Sequence, residues 1–470
     1  MFDKEIYKKR RSVLKEKVGT GLILFIGNEE VGMNYAANSY HFRQDSTFLY
    51  YTGIDLPGLA FIIDIDEDKE ILFGNELTID DIVWTGPLDP LTAWADKAGI
   101  TITKAFKEID ALLKAAKAAG KEIHFLPPYR GRHVLRLQEW LGYVPSEIET
   151  QISEKLIKSI VSMRSYKKPE EIAEMEKAVD ISTEMHELFF TSLQPGITEK
   201  FVEGIVHGHA LSTGNNLAYP IILTINGETL HILPRDIEMG KERLAICDAG
   251  AETSMHYAGD LTRTAPVSGK FSSIQKDIYN IVLHAQLACI EACKPGVLFR
   301  DIHALAGETL LSGLKDIGLI KGDVQEAVSK DVHTLFFQCG LGHMIGLDVH
   351  DMENLGEKYI GYTDNIKKST AFGWKSLRLA KALEPGFTLT VEPGIYFIPV
   401  LIDLWKSENK LSQFINYQEL EKFKDFGGVR VEDNVLITQG GCRILGNKIA
   451  PKTIDEIEAY IYRVNTIHKK

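Results

Sequence analysis

The chain has 470 residues, 44% of them hydrophobic and 25% charged, with a formal net charge of −12 and a pI near 5.7. This balance excludes a disordered chain and suits an ordinary globular protein of two or three domains. The acidic excess argues against nucleic acid or anionic membrane as a general partner, which leaves a small molecule or a peptide.

Taken in order, the charged opening at 1–11 carries no signal-peptide core, and no later stretch approaches the roughly 20 apolar residues of a membrane span, so a cytoplasmic location is expected. Periodicity predicts a helix over 4–17, strands over 20–26, 48–51, 59–65 and 70–73, and helices over 101–119 and 132–141. His41 to Ser46 reads as a capped turn ahead of the strand at 48–51. These elements describe a mixed α/β domain over 1–155, followed by a second domain over 156–470, with the boundary region spanning 152–168. A helix is expected over 156–164, and Pro169 suits the first position of another that runs to about 190. Glu170, Glu171, Glu174 and Glu176 in its early turns favour the positive end of its dipole. Gln194-Pro195-Gly196 and Lys294-Pro295-Gly296, 100 residues apart, each follow a helical segment. They are either a duplicated unit or two ordinary helix stops. Five cysteines, at 247, 289, 293, 339 and 442, form no CxxC pair, and Cys289 and Cys293 read as core packing around the end of a helix over 274–292.

The chemistry concentrates in the second domain. The apolar run 244–247 ends in Asp248, and Asp260 stands before Thr262-Arg263-Thr264. Two acids at the ends of adjoining buried strands repel, so they share a proton, meet basic groups or hold metal. Further along, GLGHMIGLDVHD sets His343 and His350 among glycines, a strand over 387–391 stops at Glu392-Pro393-Gly394, and a strand through Gly427 to Glu432 puts Arg430 and Glu432 on one face. Each element alone has an ordinary structural explanation. Asp248, Asp260, His343, Glu392 and Glu432 together make a set that chance seldom assembles.

The motifs DAG, AGDLTRT, GLGHMIGLDVHD, VEPGIY and GVRVED, with FRQDSTFLYYTGI near the start, resemble the proline-specific pita-bread metallopeptidases, the branch of aminopeptidase P and prolidase. The resemblance spans nearly the whole chain. It implies an α/β chain whose α+β pita-bread catalytic domain carries an internal pseudo-two-fold repeat behind a smaller creatinase-type amino-terminal domain. It further implies two divalent metals, Mn before Co, Fe or Zn, with Asp248 and the pair His343 and Glu392 on separate ions and Asp260 and Glu432 bridging. His231, His350 and Arg430 resemble residues that serve the reaction, and Arg378 resembles the prolidase arginine that takes a dipeptide carboxylate. Tyr219 is either part of an apolar floor for the proline ring or core packing.

Two departures accompany the resemblance. The aspartate spacing of 12 is one more than expected, which predicts a bulged turn at Ser254-Met255-His256, and Cys339 stands where most relatives carry a substrate-binding histidine. The implied partner is a peptide with proline second, cleaved by a homodimer or larger assembly. Xaa-Pro aminopeptidase is the leading reading and Xaa-Pro dipeptidase the alternative. An enzyme for non-peptide amides, like creatinase, and a non-catalytic binding protein on the same fold are the remaining readings.

Overall fold

The unbroken apolar run Leu22–Ile26 requires a sheet buried on both faces, because alternate side chains of a strand point to opposite sides. The computed structural model, which describes residues 1–467, has that sheet in a first unit formed by Met1–Arg164 and Asn354–Tyr359. Five strands, β1 (Leu22–Ile26), β2 (Ala60–Asp64), β3 (Lys69–Gly74), β4 (Ile102–Ala105) and β5 (Ile123–His124), lie in the order β4-β3-β2-β1-β5. The β1–β2 and β2–β3 pairs are antiparallel, and β4 and β5 add parallel edges. Leu22, Leu24, Ile62, Ile71 and Phe73 share a core with Ile109 and Leu113 of helix Glu108–Ala118 and with Leu137 and Trp140 of helix Gly131–Leu141. On the alternate β1 positions, Phe25 stacks on Tyr51 at 5.1 Å and on Phe61 at 6.3 Å.

Two expected elements differ. Residues 48–51 lie in a helix, Ser46–Thr52, and not in a strand. Asp45 accepts from the Phe48 amide at 2.8 Å, Gly53 in the left-handed region returns its amide to Leu49 at 2.7 Å, and every side chain between is buried. Two caps and all-round burial thus override the strand preference of the aromatic run. The segment 101–119 is two elements: β-branched Ile102 and Thr103 pair with β3, and the helix begins only at Glu108. The helix Glu154–Arg164 also belongs to the first unit, so the division falls after Arg164, beyond the expected 155. Arg164 anchors that end, donating to Thr47 Oγ1 at 3.1 Å.

The second unit holds the remaining strands: β6 (Asn216–Leu217), β7 (Ile222–Thr224), β8 (Leu244–Ala249), β9 (Ala251–Glu252), β10 (Leu261–Pro266), β11 (Thr388–Val391), β12 (Gly394–Tyr396), β13 (Gly428–Arg430), β14 (Asp433–Ile437) and β15 (Cys442–Ile444). They form antiparallel sheets β10-β8-β7 and β11-β14-β15, with two-stranded pairs β12-β13 and β6-β9. A bridge between Thr262 and Glu432 joins the two larger groups.

The unit repeats itself. Helices Pro169–Ser192 and Glu199–Thr213 flank Pro195-Gly196, and helices Ser273–Ala292 and Phe299–Asp316 flank Pro295-Gly296. Gly196 and Gly296 adopt φ of +86° and +85°, which an L side chain resists. Gly196 donates to Met239 O while Met239 donates to Ile197 O; Gly296 donates to Leu383 O while Leu383 donates to Val297 O. The matching bonds settle the earlier alternative in favour of a duplicated unit. The pseudo-two-fold brings the hairpin β8–β10 and the strands β11 and β14 to a common centre.

Candidate metal centre

Asp248 lies one residue from the end of β8, and Asp260 immediately precedes β10, with Thr262 directly opposite Asp248. The backbone can cross here because Gly250 has no side chain: a Cβ there would stand 1.9 Å from Gly259 O. Ser254-Met255-His256 form a turn in which His256 takes φ of +65° and donates its amide to Thr253 O. Asn434 fixes the Asp260 backbone from both sides, accepting from its amide at 2.9 Å and donating to its carbonyl at 2.6 Å.

The Tyr219 hydroxyl stands 2.7 Å from Asp248 Oδ1 and 2.5 Å from Asp260 Oδ1. It orients the two acids, a different place from the expected floor of a proline pocket. One hydroxyl proton cannot satisfy two carboxylates, so the second contact needs a proton or a cation. Burial, and next the charge of Asp248, push Asp260 up to about 7.

His343 reaches these acids from a glycine-rich loop. Its amide donates to Thr390 Oγ1 at 3.1 Å, and the approach depends on Gly342, where a Cβ would lie 2.1 Å from Thr390 O. Because a carbonyl only accepts, the 3.0 Å contact between His343 Nδ1 and Met344 O puts the ring proton on Nδ1. Nε2 is left with its lone pair, 3.3 Å from Asp260 Oδ2 and 3.5 Å from Glu392 Oε1. That is the tautomer a metal ligand needs.

Glu392 follows the last residue of β11 and accepts from Thr390 Oγ1 at 3.2 Å. Glu432 lies between β13 and β14, where its amide donates to Thr262 O at 3.1 Å and its Oε2 accepts from Thr262 Oγ1 at 2.6 Å. Burial, reinforced by the surrounding acids, pushes Glu432 far above the usual carboxylate range; burial also raises Glu392. Ligand atoms of Asp260, His343 and Glu432 lie within 4.8 Å of one another.

Arg430 is the cation built among them. Its Nη2 donates to Asp248 Oδ2 at 2.5 Å, Nη1 to Tyr396 Oη at 2.9 Å and Nε to Thr262 Oγ1 at 3.0 Å. One guanidinium does not neutralise four carboxylates at a buried place. Four carboxylates and one imidazole with a free Nε2 form a hard, oxygen-rich donor set, so the residues fit divalent cations of the Mn, Co or Fe kind.

Beside the acids the His350 ring packs on His343, centroids 4.0 Å apart, and its Nδ1 donates to Glu353. Burial lowers both histidines, so both are neutral at pH 7. Glu353 also accepts from Arg378 Nε at 3.0 Å; although partial burial pulls it upward, its hydrogen bond with His350 and its contacts with His350 and Arg378 hold it down to about 2. Partial burial, and then the charge of Arg430, lower His231, which also lies in electrostatic reach of Asp248 and His350. Cys339 Sγ stands 3.9 Å from Tyr396 Oη, and burial pushes its thiol up to about 12, so it is an uncharged neighbour of the Arg430 cluster.

Sequence reasoning missed Glu353, Tyr219 as a partner of both aspartates, and the threonines that hold the acidic side chains. Glu353 was accessible as the third residue after His350, a spacing that brings side chains together in a single turn. Thr262 and Thr390 carried no such signal, since β-branched residues in strands are ordinary.

The sequence pattern of metallopeptidase family M24 matches residues 173–439, and that of the aminopeptidase P N-terminal domain matches residues 7–124. A probable Xaa-Pro aminopeptidase of Sordaria macrospora is 34% identical over 430 residues, 89% of this chain and 87% of that protein. The Xaa-Pro dipeptidase of Homo sapiens is 30% identical over 452 residues, 93% of this chain and 88% of that protein. A histidine-to-alanine variant of Escherichia coli aminopeptidase P superposes with a TM-score of 0.81 at 27% identity, covering 99% of both chains. The repeated pita-bread unit, its acidic centre and the extent of these matches lead to one conclusion: the chain belongs to metallopeptidase family M24, with the N-terminal domain of aminopeptidase P in front of the catalytic unit.

Proposed function

We propose that the protein is a two-metal exopeptidase that hydrolyses the bond between an amino-terminal residue and a following proline, an Xaa-Pro aminopeptidase. The observation that carries this reading is the buried convergence of Asp260, His343 and Glu432, with Asp248 tied to Asp260 through Tyr219 and Glu392 within 3.5 Å of His343. Asp248, Asp260, His343, Glu392 and Glu432 hold the two ions, Mn before Co, Fe or Zn. Divalent cations held there would supply Lewis-acid chemistry, polarising the scissile carbonyl and lowering the pKa of water toward neutral.

The chain's own residues do the rest. Arg430 and Tyr219 orient Asp248, and Thr262 holds Glu432, so the acids are preorganised. With Nδ1 directed to Glu353, His350 presents Nε2 as its second site for proton exchange with the substrate, and neutral His231 serves as a hydrogen-bond partner. Proline lacks an amide hydrogen, so a site for it needs no acceptor at that nitrogen. The substrates are peptides with proline second. The working assembly is a homodimer or higher homo-oligomer, and its location is cytoplasmic.

Arg378 favours a second reading. Glu353 takes only its Nε, which leaves both terminal nitrogens without a protein partner among the described residues. A guanidinium in that state is suited to a free carboxylate, as in an Xaa-Pro dipeptidase. The test offers Mn²⁺-loaded protein an Xaa-Pro dipeptide and an Xaa-Pro-Yaa-Yaa tetrapeptide, with products read by mass spectrometry. Release of the first residue from the tetrapeptide is the expected result. Cleavage of the dipeptide alone would transfer the assignment to dipeptidase, and cleavage of neither would overturn both.

A further inference from the structure

Orienting His350 uses one oxygen of Glu353 and leaves the other to Arg378. Oε2 accepts from His350 Nδ1, and Oε1 accepts from Arg378 Nε at 3.0 Å. Both donors are held from behind. The Glu353 amide donates to His350 O at 3.2 Å, which closes the turn between these two residues. Arg378 stands between the buried Leu377 and Leu379, and its carbonyl is pressed against Gly361, where a Cβ would lie 1.8 Å away. The outer side of the group is open: the side chains of His350, Glu353 and Arg378 are 33%, 35% and 34% exposed.

A guanidinium offers a carboxylate two bidentate edges, one through Nε and a terminal nitrogen and one through both terminal nitrogens. Glu353 occupies the first. A ligand carboxylate on the second would share the cation with an anion already in place, and like charges that close repel even where water screens them. Among the described residues no other carboxylate is hydrogen-bonded to Arg378, so the effect belongs to one removable charge.

We infer that, on the Xaa-Pro reading proposed above, Glu353 is a specificity-determining residue: its charge engages Arg378 from within the protein and turns the site away from dipeptides, whose proline ends in a carboxylate, toward peptides that continue beyond proline. In a longer peptide an amide stands where the carboxylate was, and its carbonyl oxygen accepts from the terminal nitrogens without adding charge. Discrimination then comes from a penalty on the wrong ligand as well as from contacts to the right one. Arg378 supplies the hydrogen bonds, and Glu353 sets which substrate end can use them.

The test gives Mn²⁺-loaded full-length protein two substrates that differ only in that charge, an Xaa-Pro dipeptide and its C-terminal amide, with the Xaa-Pro-Yaa-Yaa tetrapeptide as the reference for activity. Glu353→Gln keeps the shape and removes the charge. Any harm to His350 falls on both substrates, so the ratio of kcat/KM for acid to that for amide isolates the effect on the carboxylate. That ratio should rise about 3- to 10-fold over wild type, chiefly through a lower KM for the dipeptide, and the rise should shrink at high salt. Calorimetry on metal-stripped protein, free of turnover, should show the dipeptide binding more tightly to Glu353→Gln than to wild type, with the amide bound equally. Glu353→Asp, which keeps the charge, should stay nearer the wild-type ratio. A ratio that is unchanged or falls in Glu353→Gln, or that rises as much in Glu353→Asp, would overturn the inference and leave the Xaa-Pro reading intact. Cleavage of none of the three peptides by the wild type would overturn that reading and the inference with it.

Discussion

At the scale of single residues, the centre is a problem of unbalanced charge solved by placement. Asp260, pushed up to about 7, binds a proton more tightly folded than unfolded, where a carboxylate titrates near 4. For metal-free protein the sign follows: stability conferred by the protonated form is present at low pH and lost as pH rises through about 7. Metal replaces that proton, so Mn²⁺ affinity should fall steeply below pH 7, measured by calorimetry across pH 5.5 to 8; a flat profile would mean that Asp260 is not a ligand. Tyr219→Phe removes the hydroxyl shared by two aspartates and should weaken metal binding about 10- to 100-fold, as losses of orienting partners do. Arg378→Ala separates the two substrate readings, since a carboxylate role costs dipeptide cleavage far more than tetrapeptide cleavage. Equal losses on both substrates would assign Arg378 to holding Glu353 alone.

At the scale of elements, the ligands depend on close backbone crossings. Gly342→Ala would drive a methyl against Thr390 O, displace His343 from β11 and cost about 1–3 kcal/mol of stability, together with metal affinity. Denaturant unfolding and metal analysis of the variant check this, and an unperturbed protein would contradict it. The same elements show what could be read in advance. Asp248, Glu392 and Glu432 were legible because each ends or interrupts an apolar strand, where a charge has no packing reason to be. His343 stood out only as one of a set with the acids, and the two Pro-Gly turns stayed ambiguous until their matching hydrogen bonds were seen. The helix Ser46–Thr52 was not, because an aromatic run has the composition of a strand and only its caps and burial on all sides decide otherwise. The Tyr219 contacts were equally hidden, since the side chain meets partners 29 and 41 residues away.

At the scale of the whole molecule, acid sensitivity should come from buried histidines outside the proposed ligand set. His303 and His333 pack their rings 6.2 Å apart beside Trp374, and burial lowers them to about 3 and about 4. Unfolded, each titrates near 6.5, so the unfolded state gains protons first and stability falls as pH drops from about 6.5 toward 4. Each contributes roughly 1.4 kcal/mol per pH unit in that window. His303→Phe should flatten the acid limb of unfolding free energy by about that slope, and an unchanged limb would place the sensitivity elsewhere. On the proposed reading, activity rests on a different balance, the neutralisation of four buried carboxylates by cations. The most direct measurement of that claim is cleavage of an Xaa-Pro-Yaa-Yaa peptide by wild-type and Glu432→Gln protein, each stripped by chelation and then reloaded with Mn²⁺, with bound metal counted in parallel. The account predicts two ions per chain and restored release of the first residue for the wild type, and lost metal with turnover down more than about 100-fold for Glu432→Gln. Full activity in the stripped protein, or in Glu432→Gln, would contradict it.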